Sequence, residues 1–569
     1  DMTVNNTKSD EPNRSDYGTI SVDEVGDNVD NSYCTEYTLP DYPTISDYLT
    51  YPYRAAEYFI QGICHHFGWE FAIMTISTYI GIKGLLLSIL GQVRLSFCKK
   101  TLGIDGTACQ TLGAIAGTPW AVKGAIGVIS DMYPLFGWHK ASYINVVGVL
   151  GALAFLFLAA VPITTAHAAG FLLLLGNLQI ATTDLLMEGQ YAGKMAAKPQ
   201  TGSMMVSFVW GCFQIGSLLA ACFVGPLVDA FNPKIVFWVC VPLSALIIVP
   251  NSLGYMGDTR VPEDRRGVDW ELLRTNKLLI VFCLVVAGCA VVNAVIDLVF
   301  FDAHLAQMIY ALACTVWLSV LSFAWLPPQL AKCTFYMFLS CVLYVNIGSA
   351  QDYWFTADKE CVPDGPGFDY TYYNTYTSIV GAFTGWVGIV LFQATMSGWS
   401  FRKLFWITTL LQVVASAFDM LIIARWNISV GISDKVFYMF GDAVIGPAVG
   451  MFAYMPMLVL TSKLVPPGLE ATTYALLAGF QNFGGTVSSQ VGIYLTQLAG
   501  IESTGRCNFD NLGPLVGVCH CLLPLLAIPL TFLLIPDKLM TDRILDSDDS
   551  DAPAPDAGPG PAKPAEPVV

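Results

Sequence analysis

Apolar runs long enough to cross a lipid bilayer recur along most of this chain of 569 residues. A helix of about 20 apolar residues spans the hydrocarbon core of a membrane. Hydrophobic residues make up 54% of the sequence and charged residues only 13%, whereas soluble domains carry about 25% charged residues. This composition excludes an ordinary soluble enzyme. The sequence therefore predicts an all-α polytopic membrane protein with about 14 spanning helices.

The predicted spans fall into groups of six, two and six. They lie at 70–91, 110–130, 141–162, 167–187, 203–224, 234–254, 277–299, 304–326, 332–350, 376–396, 403–424, 434–461, 471–499 and 512–535. The predicted division of the chain is an acidic disordered cytoplasmic arm at 1–58, a six-helix bundle at 59–254, a charged cytoplasmic linker at 255–276, two inserted helices at 277–326, a second six-helix bundle at 327–540 and a disordered acidic, proline-rich tail at 541–569.

Lysines and arginines set the expected orientation of these helices. Most of the 28 such residues fall in loops on the side of the N-terminus, and loops rich in positive charge face the cytoplasm. We therefore expect both termini in the cytoplasm. The net charge of −16 is largely carried by the two acidic, solvated ends of the chain. No segment is basic and aromatic enough to predict a nucleic-acid partner.

Two short sequence patterns repeat between the six-helix groups. The Gly-Trp-His-Lys sequence at 137–140 is echoed by Trp-Ser-Phe-Arg-Lys at 399–403, and Gly-Cys-Phe-Gln-Ile-Gly at 211–216 is echoed by Gly-Phe-Gln-Asn-Phe-Gly at 479–484. The two displacements are nearly equal and exceed an ordinary six-helix half by the length of the inserted pair. Two related six-helix bundles are the plan of major facilitator transporters, which bind substrate between the bundles near the midplane.

Lysines inside apolar spans are the first candidates for function. A charge at membrane depth is costly, so it marks a pathway, a binding site or an internal pair. Lys123 lies in the second span, and it either faces a substrate cavity or is held in an ion pair or at the membrane interface. Lys83 lies midway along the first span. We expect it to face the cavity because facing lipid costs more.

The fourth span carries a polar stripe made of Asn177, Asp184 and Glu188. Spacings of seven and four residues place all three on one helical face, which must contact protein or water since lipid cannot satisfy it. Asp184 is a candidate for protonation during coupled transport, because burial and a nearby lysine act on its pKa in opposite directions. The alternative is a permanently ionised pair of Asp184 with Lys123 or Lys83.

The second half offers further polar candidates inside its spans. Asp442 lies in the twelfth span, and Gln481 and Asn482 lie in the thirteenth. Gln214 is the repeat partner of Gln481, so the two amides are expected to face each other across the cavity. Amides donate and accept hydrogen bonds, as a pterin ring requires. The alternative is hydrogen bonding between helices where glycines allow close approach.

Three motifs resemble the folate–biopterin transporter family, over roughly residues 60–540. They are the Pro-Trp-x-x-Lys string with its turn at 119–140, Asp184 with Glu-Gly-Gln-Tyr-Ala at 188–192, and Pro-Gly-Leu-Glu-Ala-Thr at 467–472. The long acidic arms are most similar to the protozoan, kinetoplastid branch. The family often has a proline after the lysine and paired arginines in the turn, whereas Gly124 and His139-Lys140 stand here.

The resemblance implies gating roles at the cytoplasmic ends of the helices. In the facilitator loop pattern, an acidic residue pairs across the bundles and closes the inner gate, and Asp131 with Gly127 and Lys140 matches that pattern. The remaining residues with an implied gating role are Glu188, Glu470 and the turn residues Arg402 and Lys403.

The resemblance implies a secondary transporter of the plasma membrane that imports folate- or biopterin-type pteridines by alternating access, coupled to protons. The alternatives are an S-adenosylmethionine carrier of the same family, a proton-driven exporter with 14 helices, and a non-transporting receptor. The expected partners are a small-molecule substrate, the lipid bilayer and protons. No enzyme activity, cofactor or metal site is expected, and no Walker sequence is present.

Most of the 16 cysteines lie within apolar spans and are expected to act as small apolar residues. Cys361 and Cys507 fall in the two largest predicted outer loops of the second half, so a disulfide between them is plausible there. Cys98 with Cys109 is a second option.

Overall fold

The structure is a computed structural model that describes residues 45–198, 201–263, 266–275, 277–464, 470–505 and 507–542. These residues form helices joined by short loops, and their only extended pairings are isolated bridges. Thirteen of the described helices are long and apolar enough to cross a membrane. The protein is thus an all-α polytopic membrane protein. Residues 1–44 and 543–569, which include most of both predicted arms, lie outside the described residues.

The helices are numbered here in chain order. They are α1 Ile45–Phe67, α2 Trp69–Leu102, α3 Gly106–Met132, α4 Ala141–Ala160, α5 Ala166–Met195, α6 Met204–Ala230, α7 Lys234–Ser252, α8 Lys277–Val299, α9 His304–Trp325, α10 Pro328–Phe355, α11 Thr371–Thr395, α12 Phe401–Ile423, α13 Asp434–Thr461, α14 Glu470–Leu498 and α15 Leu512–Leu534.

The helix α14 coincides with the thirteenth predicted span but is not among the thirteen apolar helices. It carries polar residues along its length, and it packs against α3, α9 and α10. Contact with neighbouring helices can satisfy such residues where lipid cannot. The count of fourteen spans and the grouping into six, two and six therefore stay predictions.

The prediction of a disordered arm over 1–58 is wrong for residues 45–58, which belong to α1. The sequence of α1 places bulky residues four or eight positions apart, as at Tyr51, Phe59 and Ile63, and this spacing lines one face of a helix. Residues 45–69 belong to a compact unit of their own. The abundance of acidic residues further upstream obscured this amphipathic pattern.

The first span is longer than predicted and ends at Leu102 rather than at residue 91. Lys99 and Lys100 lie in its last turn, and each has a carbonyl acceptor from a distant part of the chain. Lys99 donates to the carbonyl of Thr356 at 2.7 Å, and Lys100 donates to that of Val228 at 2.7 Å. The ammonium groups are thus satisfied at the helix end, so two consecutive lysines do not terminate the helix.

The repeated turns have the same arrangement in both halves. Trp138 forms an antiparallel bridge with Arg260, just after α7, and Ser400 forms one with Leu539, just after α15. In each half, therefore, the segment that follows the sixth predicted span pairs with the turn before the third. The linker also caps α4, because the Asp258 carboxylate accepts from the backbone N–H groups of Lys140 and Ala141 at 2.9 Å.

Two disulfides mark one end of the helices, which we call the disulfide end. Cys98 pairs with Cys109 and Cys361 pairs with Cys507, with Cα–Cα distances of 5.8 and 5.2 Å. The opposite end, which carries residues 255–275, is called the linker end. Hydrogen bonds between the two predicted halves gather at the disulfide end: Gly106 with Ser503, Ile104 with Tyr353, Gln92 with Asn374, Ala221 with Thr375, and Asp229 with Thr371.

A glycine contact joins α2 to α6. A Cβ atom on Gly84 would lie 2.7 Å from the carbonyl oxygen of Phe213 and 2.9 Å from the Cα of Gly216. Real side chains do not tolerate such distances, so the two backbones approach this closely only because both positions are glycine. The contact lies one residue beyond Lys83, so it sets how near that lysine comes to α6.

We expect Gly84→Ala to reduce the thermal stability of the purified protein, because the added methyl group must push α6 away. Gly81→Ala is the matched control on the same helix, since no heavy atom lies within 4 Å of its Cβ position. Its effect should stay within about 1 kcal/mol of wild type. Melting midpoints in detergent measure both. Equal midpoints for the two variants would contradict the close contact.

Candidate functional site

Four charged side chains from α2, α3 and α5 meet at the centre of the first half. Lys123 Nζ lies 2.8 Å from Asp184 Oδ2 and 3.2 Å from Glu188 Oε2. Lys83 Nζ lies 2.9 Å from Asp184 Oδ1 and 3.8 Å from Glu188 Oε1. The Lys83–Asp184 contact is an ion pair without hydrogen-bond geometry. We call these four residues the charge cluster.

The backbone is irregular at both lysines. Lys83 lies in a π-helical turn over Ser77–Leu86, a form that is rare and often occurs at functional sites. Lys123 follows a break in α3 at Val122, three residues after Pro119. Proline has no N–H to donate, so it removes a helical hydrogen bond and permits a bend. Both irregularities change the direction of a lysine side chain relative to a regular helix.

The cluster balances two positive charges with two negative charges. The side chain of Asp184 is 1% exposed and that of Lys123 is 7% exposed, whereas Glu188 is 24% exposed. Removing one partner of such a buried pair leaves an uncompensated charge, which costs several kcal/mol. Asp184 is therefore the central residue of the cluster, because each of its carboxylate oxygens contacts a different lysine. Glu188 is held by the same lysines at longer distances.

Aromatic rings surround the two ammonium groups. The Lys123 nitrogen lies 5.0 Å from the ring centre of Trp120, and the Lys83 nitrogen lies 5.7 Å from that of Trp210 and 6.0 Å from that of Phe213. These distances fall within the range of cation–π attraction. Such rings stabilise cations and also offer flat faces on which a heterocycle can stack.

Two further residues border the cluster. Asn177 accepts a hydrogen bond from the Trp120 indole at 3.5 Å and donates to the carbonyl of Leu173 at 3.0 Å, so the polar stripe predicted on α5 lies on the face toward α3. Tyr454 of α13 lies within electrostatic range of all four charged residues. Tyr454 was not predicted from the sequence, because a single tyrosine in an apolar span carries no signal.

The amide candidates Gln481 and Asn482 make contacts with neighbouring helices. Gln481 hydrogen-bonds to Cys341, a contact with α10, and among the described contacts no hydrogen bond joins it to Gln214. Asn482 donates to the backbone carbonyl of Trp120 at 3.1 Å. These contacts match the alternative of hydrogen bonding between helices for Gln481 and Asn482. Their part in substrate binding stays a prediction.

Asp442 lies in a second polar group, within the second half. It occupies a π-helical turn over Met439–Ile445 and lines the same cavity as Asp419 of α12. Gln351 donates to Asp419 at 2.9 Å. Both carboxyl groups line a cavity of about 200 Å³. Sequence reasoning missed Asp419, although a carboxylate in a span was a usable signal.

The predicted gating residues of the first half lie at the linker end. Asp131 is within electrostatic range of Lys140 and His139, which belong to the same half. The Lys140 nitrogen lies 3.3 Å from the Cβ position of Gly189, and Leu185 lies 3.6 Å from that of Gly127. The glycines thus allow α5 to approach both α3 and the turn at 133–140. Glu188, which the resemblance assigned to a gate, belongs to the charge cluster.

The gating candidates of the second half make local contacts. Arg402 donates to the carbonyl of Ile535 at 2.8 Å and lies 3.7 Å from Asp537, so it ties α12 to the end of α15. The Lys403 nitrogen lies 3.9 Å from the ring centre of Trp399. Glu470 begins α14, but its side chain and residues 465–469 lie outside the described part of the chain. The gating roles stay predictions.

The motifs and the geometry agree with a family comparison. The family model described as the BT1 family matches residues 83–555. The chain belongs to this family. Similar proteins include a folate-biopterin transporter from Synechocystis sp., 26% identical over 85% of this chain and 86% of that protein, and a probable folate-biopterin transporter 2 from Arabidopsis thaliana, 28% identical over 83% of each. This BT1 protein is a membrane transporter, not an enzyme.

Solved structures support the fold of the BT1 chain. A POT family transporter in complex with 5-aminolevulinic acid superposes with a TM-score of 0.59, at 14% identity, over 82% of this chain and 96% of that one. The nucleoside transporter NupG superposes with a TM-score of 0.51, at 14% identity, over 82% of this chain and 97% of that one. Both comparisons show the transporter fold predicted from the sequence.

The charge cluster predicts strong coupling between Lys123 and Asp184. We expect Lys123→Met and Asp184→Asn each to lower stability, because each leaves a net buried charge. The double variant should lose less stability than the two single variants added together, by about 1–3 kcal/mol, because it restores electrical neutrality to the cluster. Thermal or denaturant unfolding in detergent measures the stability of the wild type, the two single variants and the double variant. Lys123→Met combined with Asp258→Asn is the control and should be additive.

Proposed function

We propose that this BT1 protein imports folate- or biopterin-type pteridines by alternating access and couples the import to protons. The observation that carries the proposal is the charge cluster, which holds two lysines and two carboxylates among aromatic rings within the membrane-spanning helices. Intramembrane charges of this kind mark substrate and ion pathways. The names of the relatives from Synechocystis and Arabidopsis add support for folate and biopterin as the substrate class.

The cluster suits a flat, polar heterocycle. A pterin ring alternates hydrogen-bond donors and acceptors along its edge, and folates add carboxylate groups. Trp120 and Trp210 offer faces for stacking beside the ammonium groups of Lys123 and Lys83. The Tyr454 hydroxyl, which both donates and accepts, approaches from the second half. A substrate bound here would contact both halves, as alternating access requires.

Competition for the lysines supplies a coupling mechanism. An anionic or electron-rich substrate group competes with the cluster's own carboxylates. Glu188 is the weaker competitor, because its oxygens lie 3.2 and 3.8 Å from the lysine nitrogens while those of Asp184 lie at 2.8 and 2.9 Å. Substrate binding therefore releases Glu188 first. A carboxylate without a cation at this depth takes up a proton, so proton uptake accompanies substrate binding.

This mechanism differs from the expectation that Asp184 takes the proton. Asp184 is held by both lysines and is almost fully buried, which favours the permanently ionised pair. Glu188 is more exposed, at 24% against 1% for Asp184, so water can deliver a proton to it. We therefore assign proton exchange to Glu188 and the support of the two lysines to Asp184.

The distribution of contacts supports alternating access. Hydrogen bonds between the halves close the disulfide end, as at Gly106 with Ser503 at 2.7 Å, whereas Glu188 and Tyr454 of the cluster region keep solvent exposure. Disulfides persist in oxidising compartments. We therefore propose that the disulfide end faces outside and that both termini lie in the cytoplasm, with the protein in the plasma membrane.

Uptake by cells that express the protein tests the substrate class. We expect radiolabelled folate or biopterin to accumulate above vector controls, and Lys123→Gln to abolish this uptake because the substrate loses its cation. Lys359→Gln, an exposed loop variant, is the matched control and should transport normally. Surface labelling confirms delivery of each protein. Uptake of S-adenosylmethionine alone would contradict the pteridine assignment, and uptake of none of the three would contradict import.

The coupling role of Glu188 predicts a separation of two transport modes. We expect Glu188→Gln to lose accumulation driven by a pH gradient while it retains exchange of labelled for unlabelled substrate, since the neutral amide mimics the protonated carboxyl group. Proteoliposomes measure both modes. Glu360→Gln, on an exposed loop, should retain both. If Glu188→Gln still accumulates substrate in response to a pH gradient, another residue exchanges the coupled proton.

A further inference from the structure

A carboxyl group outside the charge cluster has no compensating cation. Asp297 lies in the last turn of α8, in the inserted pair, and it is fully buried at 0% exposure. No charged side chain among the described residues acts on it electrostatically. Its only described partners are two amides. Asn293 donates to Asp297 Oδ2 at 2.8 Å, and Gln490 of α14 donates to the same oxygen at 2.7 Å.

Three oxygen atoms of this group accept no hydrogen bond from the described residues. They are Asp297 Oδ1, Asn293 Oδ1 and Gln490 Oε1. Asn293 and Gln490 are as buried as Asp297, at 1% and 0% exposure. A buried polar atom without a partner costs free energy. The amide nitrogens are already directed at Oδ2, so all three remaining oxygens need a donor or a cation.

The titratable groups on the packed helices do not supply that cation. The candidates on α9, α8 and α5 are His304, His167, Tyr310, Cys289 and Cys314. His304 contacts Gln307, and His167 packs on the ring of Phe301. Tyr310 donates to the carbonyl of Cys289 at 3.3 Å, and it lies with Cys289 and Cys314 in a separate group. The helices α3 and α14 present amides and serines near Gln490 rather than lysine or arginine.

The number of oxygens without a hydrogen-bond donor favours a metal cation over a proton at this site. A proton on Asp297 provides one O–H group, which can satisfy one of the two amide oxygens and leaves the other without a partner. A metal cation is not limited to one acceptor and can take several oxygens as ligands. The site carries a single negative charge, so a monovalent cation neutralises it, whereas a divalent cation would leave a buried positive charge.

The position of Asp297 in its helix is an independent reason to expect a bound cation. The C-terminal end of a helix carries a partial negative charge, so an ionised carboxylate in the last turn of α8 is disfavoured, and a cation bound beside it offsets this cost. The last carbonyl groups of a helix also lack intrahelical donors. In membrane transporters, helix C-terminal ends coordinate sodium ions for these reasons.

We propose that Asp297, Asn293 and Gln490 form a binding site for one monovalent metal cation, with sodium as the fitting ion. The site joins the inserted helix α8 to α14. It does not rest on the pteridine assignment or on the role of Glu188, which concern the charge cluster.

The site is adjacent to a contact that closes the disulfide end. Ser489, the residue before Gln490, accepts at its backbone carbonyl from Gln110 of α3 at 3.1 Å. Gln110 also donates to the carbonyl of Asn346 in α10, at 2.5 Å. A cation that holds Gln490 therefore holds the segment of α14 where α3 and α10 meet. Sodium is expected to stabilise the conformation that is closed at the disulfide end.

Thermal unfolding of the full chain in detergent tests the site. We expect sodium chloride to raise the midpoint of wild type by about 3 °C or more over choline chloride at equal ionic strength, because the ion binds only the folded state. Potassium chloride should raise it less. Asp297→Asn should remove the sodium response. The matched control, Asp302→Asn, changes an exposed aspartate five residues away and should keep it.

A wild-type midpoint that does not respond to sodium at any pH from about 5 to 8 would overturn the proposal, and so would an unchanged response in Asp297→Asn. Binding of radioactive sodium to wild type provides a measurement that needs no variant. One site per chain, competed by unlabelled sodium, is expected, and absence of saturable binding overturns the inference. Adding folate or biopterin to the same melts separates the two proposals, since a sodium response without a pteridine response supports this site and counts against the proposed substrate.

Discussion

The ion pairs around Asp184 are the interaction on which the first half depends. Charges inside a membrane cannot be screened by water, so three helices that carry them must meet where the charges cancel. Lys83 of α2 and Lys123 of α3 both reach the carboxylate of Asp184 on α5, at 2.9 and 2.8 Å. This requirement sets the rotation of all three helices about their axes. The proposed substrate site lies at the same place.

Backbone irregularity makes that meeting possible. A π-helical turn carries Lys83, a break follows Pro119 just before Lys123, and glycine at Gly84 lets α2 contact the backbone of α6. Each feature weakens a regular helix locally, and the neighbouring helices compensate for the loss. The same logic applies in the second half, where Asp442 lies in a π-helical turn opposite Asp419.

The sequence predicted the spans well because hydropathy over about 20 residues depends little on tertiary contacts. It also offered a pair of Asp184 with Lys123 or Lys83 as the alternative to a cavity role, since unpaired charges in lipid are costly. It did not predict the contacts of single polar residues. Gln481 bonds to Cys341 rather than to Gln214, and such choices depend on helix rotation. Helix ends were also missed where side chains such as Lys99 find carbonyl acceptors.

Asp184 and Asp297 are both carboxylates buried among membrane helices, and the protein surrounds them with different partners. Asp184 receives two lysines from the protein, which balance its charge without a bound ligand. Asp297 receives only two amide N–H groups, and oxygens around it lack donors. A carboxylate whose cations and hydrogen-bond donors come from the protein can position the other residues of a site. A carboxylate that lacks some of these partners is suited to bind and release an ion. The proposed site would therefore give α8 a chemical role in the transporter in addition to spanning the membrane.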